Sequence, residues 1–218
     1  MSEGVVRRSR RAGGERRAYV LDHAIAVVAE RGLAATRYAD VAEASGIAVS
    51  TLQGYFGSRE DMLIEAFERA TVVVVDAMNE LASQCDGSWQ QLVAMVDQGL
   101  STPAPTWRML MEFWTAAVHD AELQEHAAAL AKQYREPYVK AVQLGTERGA
   151  FSPRFEVQVI VESLVSSIVG LLYPVVLGHF APQVNAYREI VLAQLAFALR
   201  VSSEHVSDSP SGNSNVER

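Results

Sequence analysis

From Glu15 onward apolar residues recur at intervals of three and four, as in Leu21, Ala24, Ile25 and Val28, and glycine or proline interrupts the pattern at helix-length spacings. The pattern predicts an all-α chain. A first helix over about 16–31 should stop at Gly32, a residue suited to the left-handed position just past a helix end. Thr36 then caps a short helix carrying Tyr38, Val41 and Ala42, a second short helix covers 49–56, and Ser58 with Asp61 opens a longer one toward Leu81. Ser88 can cap a helix that ends before Ser101. Pro103-Ala104-Pro105 should hold the next one off until Thr106, and an amphipathic stretch runs from Asp120 to Arg148. Two last helices, about 155–178 and 182–203, bring the expected count to nine. The segment 206–218, rich in Ser, Asn, Gly and Glu, reads as a disordered tail.

The last two helices are apolar beyond what one buried stripe needs. In the first, Val157, Ile160, Val161, Leu164, Val165, Ile168, Val169, Leu171 and Leu172 cover well over half the circumference; Ile190, Val191, Leu192, Leu195, Phe197 and Leu199 do the same in the second. One face can rest on its own domain, and the other calls for a partner. A symmetric homodimer built from these two helices is the expected solution.

With 49% hydrophobic and 21% charged residues in 218, the chain can bury a core and is not wholly disordered. The uncharged run from Ile168 to Leu177 is about half of the ~20 residues a membrane span requires, and no apolar secretion core stands at the amino end. The expected location is the cytoplasm, without a membrane partner. The single cysteine, Cys85, can form neither an internal disulfide nor a cysteine-based zinc site. The net charge of −7 speaks against a general polyanion binder, but it is uneven: residues 1–60 hold nine arginines against seven acids, whereas the remainder holds ten bases against nineteen acids. Six of those arginines lie within the first twenty residues. Residues 1–14 therefore read as a disordered cationic arm able to screen phosphates.

The two short helices joined by Ser45-Gly46-Ile47-Ala48 have helix-turn-helix spacing, and Gly46 suits the turn. At about 100° per residue, Val49, Leu52 and Phe56 fall on one side of the second helix and Ser50, Thr51, Gln53 and Gly54 on the other. A small, polar outer side can enter a major groove, where the Gln53 amide can pair bidentately with adenine. The run Thr36 to Glu60, with Val41-Ala42, Ala44-Ser45-Gly46, Thr51-Leu52, Tyr55-Phe56 and Ser58-Arg59-Glu60, resembles the amino-terminal signature of TetR-family transcriptional repressors. That resemblance implies a nine-helix fold with a three-helix DNA-binding domain at 15–62 and a ligand-binding and dimerisation domain at 63–205. It implies phosphate contacts from Thr36, Tyr55 and Arg59 and groove contacts from Arg37, Ser50, Thr51 and Gln53. Ala48, Gln53 and Gly54 depart from the family pattern, which bears on the operator sequence rather than the fold.

The segment Trp107 to Pro153, with Glu112-Phe113-Trp114, resembles the ligand domains of choline-responsive repressors. The implied function is a repressor released from a palindromic operator by a small-molecule effector. Candidate pocket walls are Phe67, Val74, Met78, Met95, Trp107, Met111, Trp114, Tyr134, Tyr138 and Tyr173, with Glu112 as a counter-charge. His119, Glu122 and His126 share one helical face, yet without a tighter ligand motif they read as a solvated face, and neither metal nor cofactor is expected. No glycine-rich phosphate loop, nucleophile elbow or catalytic pair stands out, so an enzyme is not expected. The competing reading is a helical small-molecule binding protein whose amino-terminal helices merely pack.

Overall fold

The computed structural model describes residues 3–177 and 184–201, with side chains described from Gly14 onward except at Leu172, Tyr173 and Val184. The segment 206–218 and the Tyr173 side chain lie outside the described residues. The helices are α1 (Glu3–Arg31), α2 (Tyr38–Ser45), α3 (Val49–Phe56), α4 (Arg59–Ser83), α5 (Ser88–Leu100), α6 (Ala104–Ala117), α7 (Ala121–Glu147), α8 (Val157–Gly170), α9 (Leu172–Leu177) and α10 (Val184–Leu199). The described residues contain no strand. Because α8 and α9 part only at Leu171, together they are the one helix expected over 155–178, and the expected all-α, nine-helix plan holds.

The starts of α1 and α6 differ from expectation. The helix α1 continues back to Glu3 through the segment expected as a disordered arm; arginine is a good helix former and no proline interrupts the segment. The helix α6 starts at Ala104, with Pro103 as its N-cap and Pro105 in its first turn. Proline is harmless there, because the first amides of a helix have no intrahelical acceptor to lose.

The chain forms two compact units. One contains residues up to Val73 together with Pro103–Ala131, and the other contains Val74–Thr102 and the residues from Lys132 on. This differs from the expected division at 62, because α6 belongs with the amino-terminal helices and packs along α1. The reason lies in the core: Val20, Val28, Val41, Leu52, Phe56 and Phe67 share one cluster with Met109, Phe113 and Leu130. The Phe67 and Phe113 rings meet at 3.9 Å between centroids. Three helices of this length cannot bury such a core alone, and α6 completes it.

In the second unit Trp89, Leu92, Val96, Tyr138, Ile168 and Leu199 are buried. Ion pairs join α7 to α8 through Arg135 and Glu162, and α10 to α5 through Arg188 and Asp97. Its outer side is different. A groove of ≈ 630 Å³ lies along α8 and α10, lined in part by Phe155, Val159, Ser163, Ser167, Gln194 and Phe197. Phe155, Val159 and Phe197 are 59%, 57% and 62% exposed, far more than apolar side chains of an interior. The stretch Val157–Leu177 is, by length and composition, apolar enough to cross a membrane, longer than the run read from sequence because Glu162 is its single charge. Its Ile160, Val161, Leu164, Val165 and Ile168 are committed to the core of this unit.

Candidate nucleic-acid interface

The amino-terminal unit presents α2 and α3 joined by a tight turn. Gly46 ends α2 in the left-handed region at φ 67°, and its amide donates back to the Ala42 carbonyl. An L side chain would strain that angle, so the turn depends on glycine. Beneath α3, Leu52 and Phe56 are 0% and 5% exposed. Above it, Ser50, Thr51, Gln53 and Gly54 are all exposed, and a Cβ added to Gly54 would meet nothing within 4 Å. Val49, expected on the core side, is 36% exposed in the first turn of the helix. The helix α3 carries no charged side chain.

The start of α2 differs from expectation. Thr36 is fully buried, its hydroxyl donating to the Gly32 carbonyl at 2.8 Å. The N-cap is Arg37, whose amide donates to Asp40 Oδ2 at 2.7 Å. Asp40 also pairs with Arg31. Arg37 itself is exposed. The entry to α4 follows the expected capping box: Asp61 accepts from the Ser58 hydroxyl at 2.6 Å, and the Asp61 amide donates to Ser58 Oγ at 3.0 Å.

Arg59 and Thr36, both implied as phosphate contacts, are turned to other work. The Arg59 guanidinium donates from Nε to the Thr36 carbonyl and from Nη2 to the Leu33 carbonyl, with Glu60 beside it at 3.1 Å. The loop between α1 and α2 is thus held by a side chain of α4. Arg17, which the sequence pattern did not single out, does the same for α3. It donates to the Tyr55 carbonyl at 2.6 Å, pairs with Glu65, and lies 4.7 Å over the Phe56 ring. Tyr55 is half-buried. Tyr38 buries its hydroxyl without a partner among the described residues, and burial, then nearby Asp61, Glu60 and Glu65, push its pKa up.

The candidate pocket residues divide between the two units. Phe67, Trp107, Met111, Glu112 and Trp114 belong to the first unit, where Phe67 and Trp107 are core residues and Met111 and Trp114 are half-buried. Glu112 is exposed and accepts a hydrogen bond from the Leu33 amide at 2.9 Å; it faces that backbone rather than a pocket. Val74, Met78, Met95, Tyr134 and Tyr138 belong to the second unit. There the Tyr138 hydroxyl donates to the Met95 carbonyl at 3.0 Å, and the Tyr134 ring lies 6.0 Å from that of Tyr138. Both hydroxyls crowd Gly99, where an added Cβ would stand 3.0 Å and 3.2 Å from them. The Tyr134 hydroxyl is buried with no partner among the described residues. Burial pushes its pKa up to about 12 and that of Tyr138 well above the ordinary value. His119 and Glu122 are exposed, and His126 Nδ1 lies 3.5 Å from Glu68.

Residues 20–66 match the family described as bacterial regulatory proteins of the tetR family, and residues 88–200 match the carboxy-terminal domain of BetI-type transcriptional repressors. The chain belongs to the TetR family. It is a DNA-binding transcriptional repressor. The HTH-type transcriptional repressor KstR2 of Mycobacterium tuberculosis is 27% identical over 160 residues, covering 66% of this chain and 74% of the relative. A putative TetR-family regulator from Rhodococcus sp. superposes with a TM-score of 0.76 at 18% identity, over 85% of this chain and 99% of its own. A putative transcriptional regulator from Saccharomonospora viridis, solved with choline, gives 0.73 at 21% identity, over 87% and 99%. At such identities these two structures speak to the fold. Within this TetR-family repressor, α2 and α3 occupy the matched amino-terminal region and α5 to α10 the matched carboxy-terminal one.

Proposed function

We propose that α3 enters the major groove of a palindromic operator, with Ser50, Thr51 and Gln53 meeting base edges and phosphates and Arg37 and Tyr55 anchoring the flanking backbone. One observation carries this: α3 is polar and open on one side while Leu52 and Phe56 seat it firmly on the other. Gln53 is the reader of adenine in this scheme. Thr36 and Arg59 serve by shaping the loop in front of α2 rather than by touching DNA.

Operator palindromy needs two reading heads about 34–36 Å apart, and hence a second copy of the chain. The apolar groove along α8 and α10 is the surface that copy would cover, with Phe155, Val159 and Phe197 as its anchors. Burial there also accounts for the apolar Val157–Leu177 stretch without a membrane, in keeping with a repressor working in the cytoplasm. For the effector, the proposed site stays in the second unit around Met95, Tyr134 and Tyr138, whose aromatic and thioether side chains suit an apolar or cationic small molecule. An effector that prefers the misfit spacing of the heads releases the operator by its differential affinity.

A gel-shift titration with the DNA upstream of the protein's own gene, repeated across salt concentrations, tests this reading. The expected result is a discrete, sequence-selective complex whose affinity falls steeply with salt. Binding no tighter than to random duplex would leave a helical small-molecule binder in its place.

A further inference from the structure

The loop between α1 and α2 is gripped from two helices at one residue, Leu33, through the two peptide groups that flank it. The Leu33 amide donates to Glu112 of α6 at 2.9 Å, while the Leu33 carbonyl accepts from Arg59 of α4. Gly32 makes the first contact possible twice over. Its φ of 82° turns the Leu33 amide outward, and a Cβ in its place would stand 3.2 Å from Glu112 Oε2. The loop is closed on itself by the Thr36 hydroxyl and amide, which both donate to the Gly32 carbonyl. One residue beyond Thr36, Arg37 begins the cap of α2.

Glu112 contributes nothing to the core: it is exposed, while its neighbour Phe113 is fully buried. A charged acceptor held on a single backbone amide is a strong, directional contact. A shift of about 1 Å in α6 would carry it beyond hydrogen-bond length. We propose that Glu112 is a positioning residue that couples α6 to the reading head, by fixing the Leu33 peptide that sets the start of α2. The proposal rests on the reading of α2 and α3 as the operator-binding pair and adds the route by which a displacement of α6 reaches it. Coupling is reciprocal, so an operator that selects one loop geometry must in turn steady α6.

Hydrogen-exchange mass spectrometry on the full-length dimer, with and without the duplex recovered by selection from a random pool, tests this. Three variants separate geometry from charge: Glu112→Ala removes the acceptor, Glu112→Asp keeps the charge but withdraws it by one methylene, and Glu112→Gln keeps an acceptor in reach. In the free protein, exchange at Leu33 should quicken by about 10-fold in Glu112→Ala and Glu112→Asp and by less in Glu112→Gln. Operator should slow exchange across Ala104–Ala117 in the wild type and in Glu112→Gln. That slowing should be lost in Glu112→Ala and Glu112→Asp, which still bind the duplex. Equal slowing in all four proteins, or none in the wild type, overturns the coupling while leaving operator binding in place. Failure to recover any duplex would instead strike the operator-binding reading and the coupling with it, although the Leu33 exchange rates would still report the contact itself.

Discussion

The reading head and the α8–α10 groove are both surfaces that the described residues leave uncovered, and their chemistry is opposite. On α3 the exposed side is Ser50, Thr51, Gln53 and Gly54, polar and without charge. Along α8 and α10 it is Phe155, Val159 and Phe197, apolar and more than half exposed. The first kind of surface is content in water and gains from a polar partner of matching shape; the second is costly in water and gains from being covered. The difference suits them to different partners, nucleic acid for one and, as proposed above, a second copy for the other. It also sets their response to salt: contacts to phosphate weaken as salt rises, whereas apolar association hardly changes.

The hardest blow to this comparison is Val159→Asp. If the groove is a dimer surface, a carboxylate buried at its centre without a counter-ion should raise the dimer dissociation constant by at least about 100-fold. Sedimentation would then show a monomer at concentrations where the wild type is dimeric, and operator affinity should collapse although α3 is untouched. A dimer that survives Val159→Asp unchanged would reassign the groove.

Next in size is a pH effect that should strike the second unit. Neutral Tyr134 is favoured in the folded state, since burial pushes its pKa up to about 12. Its contribution is therefore fully present below pH 10, the ordinary tyrosine value, and is lost as pH rises from there to about 12. For this residue alone the loss should approach about 2–3 kcal/mol. Denaturant titrations between pH 9 and 12, followed by tyrosinate absorbance, would check it, and Tyr134→Phe should flatten the slope.

Much of this was legible in the sequence, and the exceptions share a cause. Helix spacing, the Gly46 turn and the Ser58–Asp61 box depend on residues within a few positions of one another, so local pattern suffices. The polar side of α3 follows from the same arithmetic; Val49 escapes it because a wheel cannot say where the neighbours above a first turn end. Arg59 reads as a free cation until the Leu33 and Thr36 carbonyls are seen to converge on it. Glu112 reads as a pocket charge until α6 is known to lie along α1, a pairing separated by some seventy residues of chain. The compact units depart from the border expected at 62 for that reason too: which helix supplies the wall of a core is a tertiary fact, invisible to periodicity.

Arg37 and Arg59 sharpen the comparison within the reading head. Arg37 is exposed in front of α2, whereas Arg59 is spent on two carbonyls. Arg37→Ala should weaken binding to all duplexes and lower the salt slope by about 1. Arg59→Ala should leave that slope unchanged and instead lower the stability of the head by about 1–3 kcal/mol, the usual effect of stripping charged donors from partly buried carbonyls. Salt titrations and melting curves on the two variants separate the roles, and a reduced slope in Arg59→Ala would return it to the phosphate contacts.

The smallest effect concerns how α3 begins. Ala48 holds the extended backbone of an N-cap, φ −61° and ψ 141°, but has no side chain to accept from the first amides of the helix. Ala48→Ser places a hydroxyl there and should stabilise the head by about 0.5–1 kcal/mol. The gain should show as a higher melting temperature and slower exchange confined to α3, with the oligomeric state unaffected, because the groove along α8 and α10 shares no residue with this cap. Operator affinity offers the finer test. If the bare first turn of α3 uses its free amides to bind a phosphate, a serine that occupies them will cost affinity even as it adds stability. If those amides only face water, affinity should hold or improve, since a better-formed α3 arrives at the groove with less left to order.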